Sequence, residues 1–133
     1  MCIRDRSGNP LAMAAGLATL RILKDGGIYS ELERKAVKLF SGIKDAASKA
    51  GVDVRINRVA SMGSLYFTST EVRDFQGAKS SDAQRFKIYY RRMIQEGIYL
   101  APSPFEAMFV SAAHDDEMIE KTINAAAAAL GSL

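Results

Sequence analysis

Apolar positions are unevenly spread along the chain, and their spacing predicts its elements. From Pro10 to Leu20 there is no charge and a single hydroxyl, Thr19. Asn9 can cap a helix there, and Pro10 suits its first turn. The helix reads on to Lys24 and stops at Gly26-Gly27. It shows hardly any polar face, so its predicted surroundings are apolar on most sides. A chain of this size has little left to cover it, which predicts a partner: more chain or another subunit. A second helix is predicted from about Ser30, as cap, to Ala50, with Gly51 ending it. Leu32, Ala36, Leu39, Ile43, Ala46 and Ala50 form its apolar stripe. Glu31 and Lys35 pair on its wet side.

Val52 to Asn57 alternates strictly between apolar and polar, the mark of a half-buried strand. A turn near Ala60 to Gly63 leads to Leu65-Tyr66-Phe67-Thr68, an antiparallel neighbour. Glu71 to Ser81 is polar and reads as a loop. Ser81 or Asp82 can cap a third long helix to about Glu96, with Phe86, Tyr89, Tyr90 and Met93 as its buried stripe. Two short apolar runs follow, Ile98 to Leu100 and Met108 to Val110, each predicted as a strand. After His114, Asp115 can cap a last helix whose first turn carries Asp116 and Glu117. Ile119, Ile123, Ala126 and Leu130 are its predicted core face. The fold class is α+β: a small antiparallel sheet of three to four strands with helices packed on one face, preceded by a long apolar helix.

Composition narrows the function classes. At 133 residues, 48% apolar and 25% charged, the chain can build one ordinary globular core. A net charge of +3 is mild, and the basic residues are interspersed with acidic ones. Lys87, Arg91 and Arg92 come nearest to a basic stripe and read as a solvated helix face, so no nucleic-acid partner is expected. One cysteine, Cys2, excludes an internal disulfide; one histidine, His114, leaves no Cys/His metal spacing and no Ser-His-Asp set. No apolar run reaches the length of a membrane span. The opening MCIRDR has no apolar run behind it like that of a secretion signal.

The candidate chemistry lies between the two short runs, in GIYLAPSPFEAMFVSAAH, Gly97 to His114. Pro102 and Pro104 lack backbone N–H groups and push Ala101 and Ser103 toward extended conformations, so the segment loops out of any ladder. Glu106 stands between Phe105 and Ala107. A carboxylate beside apolar residues needs water or a cation. Read from the residues alone, it points to solvent or pairs with an arginine. His114 reads as a structural group at the strand–helix junction, and Tyr89 and Tyr90 as core.

The segment YLAPSPFEAMFVSAAH resembles the C-terminal signature of the glutamate-1-semialdehyde 2,1-aminomutase family, within the class III pyridoxal-phosphate aminotransferase superfamily. Ser7 to Leu23, SGNPLAMAAGLATLRIL, is similar to the segment that follows the cofactor lysine there, and Arg55 to Thr68 to its first C-terminal strand pair. SGNPLA is shared across the superfamily, whereas the pattern around FEA is specific to the aminomutases. The absence of any arginine from Gly97 to Leu133, where an ordinary class III aminotransferase would grip a substrate carboxylate, favours the aminomutase.

The resemblance implies the C-terminal part of a fold type I enzyme. Residues 1–6 are then foreign, 7–27 are a helix leaving the cofactor-binding large domain near a dimer interface, and 28–133 are the small domain. It implies a cofactor, pyridoxal 5'-phosphate in its pyridoxamine form, and conversion of glutamate-1-semialdehyde to 5-aminolevulinate for tetrapyrrole synthesis. A cytoplasmic homodimer acting on a small molecule is implied, with no membrane partner. Such chemistry needs a lysine to hold the cofactor, an acid at its ring nitrogen and donors for its phosphate. In the family these lie upstream, so no catalytic residue is assigned here and the chain alone is expected to be inactive. Ser7, Gly8 and Asn9 fall near the phosphate site. The position of a threonine that contacts the neighbouring subunit's phosphate is Asp5, whose charge would repel it, so that role is not carried over. Glu106 matches the glutamate that faces the substrate's amino groups. Two rival readings remain: another class III aminotransferase, or a non-catalytic interaction module.

Overall fold

A computed structural model describes residues 8–24 and 26–133. Helix α1 spans Pro10–Lys24, as its pattern predicts. The Asn9 side-chain oxygen accepts from the N–H groups of Leu11 (2.9 Å) and Ala12 (3.4 Å), so the predicted cap is in place. No residue of α1 is buried. Leu11, Leu17, Leu20 and Ile22 are all more than half exposed, Leu11 at 79%.

Helix α2 spans Gly27–Lys49, starting one turn before the predicted cap. Gly26, at φ 72, occupies the cap position in the left-handed region that glycine enters most readily, and Ser30 lies inside the helix. The buried stripe is Lys35, Ala36, Leu39, Phe40, Ile43 and Ala47. Leu32 and Ala46 are only partly buried, and Ala50 is exposed. Lys35 makes the expected ion pair with Glu31, though from a buried position and not from the wet side. Its residue is 7% exposed, and its ammonium donates to the Ala112 carbonyl at 3.2 Å, with Glu31 farther off at 3.7 Å.

Strands β1 (Arg55–Val59) and β2 (Met62–Tyr66) form an antiparallel hairpin, with Ile56 opposite Leu65 and Val59 opposite Met62. Ala60 and Ser61 make the turn, and Ala60 takes φ 49 to close it. The strands therefore begin about three residues after β1's predicted start and three before β2's. Strand β3 is Met108–Phe109, antiparallel to β2, with sheet order β1-β2-β3. β1 and β3 are thus the outer strands. Ile98 to Leu100 is not a strand: Ile98 and Leu100 are partly buried against the core instead of joining a ladder.

Helix α3, Phe75–Lys79, lies inside the stretch predicted as loop. Asp74 caps it by accepting from the Gly77 N–H at 2.8 Å, and Ala78 is buried beneath it. Helix α4, Ala83–Gln95, is capped by Asp82 and buries Phe86, Tyr89 and Met93; Tyr90 is half-buried. Helix α5, Asp116–Leu130, is capped by Asp115 and buries Ile119, Ala125, Ala126, Ala129 and Leu130, with Ile123 packed alongside.

The core forms where α2, α4 and α5 pack over one face of the sheet. Phe40 lies over Gly63: a Cβ built on Gly63 would come 2.4 Å from the Phe40 ring tip. Only a missing side chain lets the ring approach β2 so closely. Phe67 meets Tyr89 edge-on at 5.6 Å between centroids. The opposite face carries Asn57, whose side-chain N–H donates to the Val72 carbonyl at 2.7 Å and tethers the segment leading to α3.

Candidate functional site

The site segment leaves α4 through Gly97, at φ 78, a turn that a residue with a Cβ makes reluctantly. The Ile98 N–H donates to the Met93 carbonyl at 2.8 Å and fixes the exit. The chain returns through β3, and the Val110 N–H donates to the Ser61 carbonyl at 2.8 Å. Between these anchors a tight turn spans residues 103–106, opening on Ser103. Its hydroxyl oxygen accepts from the Phe105 N–H at 3.2 Å, and its carbonyl from the Glu106 N–H at 3.2 Å. Both prolines thus sit where the backbone has left the sheet.

Glu106 is exposed, and among the described residues its carboxylate makes no ion pair and no hydrogen bond. Of the two readings open from the residues alone, the solvent-facing one holds. The Phe105 ring turns back onto Phe75 of α3, with centroids 5.8 Å apart and planes tilted by 45°. Phe75, in the stretch 71–81 whose polarity predicts a loop, is therefore the aromatic neighbour of the site segment. Asp74, an N-cap residue type directly before Phe75, is the local signal that could have revealed it.

His114 closes the downstream side. Its Nδ1 accepts from the Ser111 N–H at 3.1 Å, which places the ring proton of the neutral form on Nε2. Its own N–H donates to the Ser111 carbonyl at 3.2 Å. The expected structural role at the strand–helix junction is what the geometry provides. Beyond it, the Arg34 guanidinium on α2 bridges Glu31 and Asp116, at 2.7 and 3.0 Å. Lys38 reaches Glu120 at 2.8 Å. Hydrogen bonding to Arg34 holds the Glu31 and Asp116 carboxyls below their ordinary range. Arg58 does the same for Glu33 from β1. These pairs clasp elements together and leave Glu106 outside their network.

Gly8 is exposed, and the Asn9 side-chain oxygen is engaged in capping α1. No hydrogen bond or ion pair among the described residues joins either to the segment of Glu106. Ser7, Asp5 and Cys2 lie outside the described residues. A cavity of about 250 Å³ lies under the site segment, walled by Leu39, Met93, Leu100 and Met108, with His114 and Thr122 as polar margins. It offers neither an amine nor a cationic side chain. Lys35, buried, is committed to a backbone carbonyl. Among the described residues a covalent lysine, a ring-nitrogen acid and a phosphate cradle are not assembled, so these residues do not by themselves fit pyridoxal phosphate. Among the described residues there is no cluster of metal-ligand side chains, and no helix is long and apolar enough to cross a membrane.

Comparison with known proteins bears out the family resemblance. The chain is 51% identical over 127 residues to a glutamate-1-semialdehyde 2,1-aminomutase of Desulfosudis oleivorans, covering 96% of this chain and 30% of that protein. It is 52% identical to the protein of the same name from Persephonella marina, covering 90% and 28%. For that of Pelodictyon phaeoclathratiforme the identity is 55%, covering 90% and 28%. The chain thus spans under a third of the length of the curated relatives it matches. Among solved structures, an omega-transaminase from Sphaerobacter thermophilus superimposes with a TM-score of 0.75 at 21% identity, covering 92% of this chain and 28% of that one. A transaminase with PLP bound superimposes with a TM-score of 0.73 at 22% identity, covering 93% and 27%. These similarities show that the α+β arrangement is shared with part of each of these structures. No protein-family profile matches the chain.

Proposed function

We propose that this chain is the C-terminal part of a glutamate-1-semialdehyde 2,1-aminomutase, and that Glu106 is its contribution to substrate recognition. Identity near 50% along nine-tenths or more of the chain supports the family reading. The observation that carries the role of Glu106 is its side chain: exposed, unpaired within the described residues, and held on a segment anchored at both ends. In the proposed reaction an amino group moves between adjacent carbons of a five-carbon substrate. An ammonium group at either carbon is a cation, and a fixed carboxylate attracts it with a charge-assisted hydrogen bond. When bound, pyridoxal phosphate in its pyridoxamine form would supply the amine exchange. The lysine that binds the aldehyde form of that cofactor would come from the rest of the protein.

On the same reading, 7–27 leave the large domain and 28–133 form the small domain of a cytoplasmic homodimer. The uncovered apolar side chains of α1 support a partner against that helix. Ser7, Gly8 and Asn9 would lie near the phosphate, with the Asn9 oxygen occupied by the cap.

The test is to assay the intact protein that carries this chain for 5-aminolevulinate formation. Glu106→Gln removes the charge and keeps the shape. A charged hydrogen bond of this kind is worth a factor of about 10 to 100, so kcat/KM should fall by that much. Release of a keto acid without aminolevulinate would instead mark an ordinary aminotransferase. An unchanged kcat/KM would remove the role of Glu106.

A further inference from the structure

Among the described residues the Glu106 carboxylate makes no hydrogen bond or ion pair that would fix its direction, yet a recognition role requires a fixed direction. Its turn is held by two hydrogen bonds, both internal to residues 103–106. Support from outside comes through the adjoining residue, Phe105, whose ring rests on Phe75. Phe75 in turn stands on a platform tied down at several points. Asp74 caps α3, and the Ser81 hydroxyl donates to the Ala78 carbonyl at 2.7 Å. Asn57 of β1 holds the Val72 carbonyl, and the Asp82 N–H donates to the Phe67 carbonyl at 2.9 Å. Val72 and Ala78 are buried below, while Phe75 itself is 65% exposed. A side chain that exposed contributes little to the core, so its packing on Phe105 is the contact its ring is placed to make.

We propose that Phe75 is a positioning residue for Glu106, fixing the turn through the Phe105 ring. This rests on the reading that Glu106 binds the substrate's amino groups. An aromatic pair in tilted geometry shifts a local equilibrium by a factor of about 2 to 12. Removing the Phe75 ring should loosen the turn by that factor and leave the rest of the fold in place.

The experiment uses the intact protein carrying this chain, with Phe75→Ala, Phe75→Tyr and Glu106→Gln, alone and combined. Hydrogen exchange of the peptide covering 103–107 should quicken several-fold in Phe75→Ala and return to the parent rate in Phe75→Tyr. In the same variants KM for the amino substrate should rise about two- to tenfold with kcat changed less, and tyrosine should restore it. In the Glu106→Gln background Phe75→Ala should add no further loss. Unchanged exchange at 103–107 in Phe75→Ala overturns the positioning role. So does an equal loss of activity with and without the Glu106 carboxylate. Faster exchange together with a silent Glu106→Gln supports the mechanical link and overturns the substrate role of Glu106 instead.

Discussion

Helices α1 and α2 follow one another with hardly a break, yet they stand at opposite extremes of burial. α1 is the more apolar, and none of its residues is buried. α2 is rich in charge and buries six residues, Lys35 among them. The difference lies in arrangement. α2 keeps its apolar side chains on one stripe, which packs against α5 and the sheet while its charges form the Arg34 and Lys38 clasps. α1 spreads apolar groups around its circumference, so a single neighbour cannot satisfy it. Apolar content tells how much covering a helix needs, whereas periodicity tells whether its own chain can provide it.

The strongest challenge to this contrast is truncation on each helix. Phe40→Ala removes a ring from between α2 and β2 and should cost about 3–5 kcal/mol in urea unfolding. Leu17→Ala on α1 should stay within about 0.5 kcal/mol. Equal losses would mean that α1 is packed in solution after all. A second comparison adds volume. Gly63→Ala places a methyl 2.4 Å from the Phe40 ring tip and should cost about 1–3 kcal/mol, because a ring wedged in the core cannot swing away. The smallest effect concerns charge. The folded-state pKa values of Glu31, Glu33 and Asp116 lie below their unfolded ones. Their stabilisation is therefore present at neutral pH and is lost as pH falls below the ordinary values, about 4.5 for the two glutamates and about 3.8 for Asp116, through the lowered folded values. Since the pairs are solvent-exposed, the urea midpoint should drift down only slightly on acidification, and less in Asp116→Asn or high salt.

Where local pattern sufficed, the sequence was readable. Asn9-Pro10, Asp82 and Asp115 announce their helices because a cap is a contact between near neighbours. The hairpin's partners and the stripe on α4 followed from period alone. What escaped depends on distant residues. Ile98 to Leu100 has strand composition, but its half-buried side chains pack into the core and it pairs with no strand. Lys35 looks like a surface lysine until the Ala112 carbonyl, far along the chain, arrives above it. For the candidate site, Glu106 was visible in the residues around it, whereas Phe75 was hidden in a polar stretch whose short helix depends on one Asp74 bond and a tether from β1.

The outer position of β1 bears on how this polypeptide behaves during its own synthesis. Its outward backbone amides and carbonyls form an open template, with Val59 bare beside them. An uncovered rim of this kind invites another strand, and the charges of Arg55 and Arg58 on β1 are what oppose such pairing during synthesis.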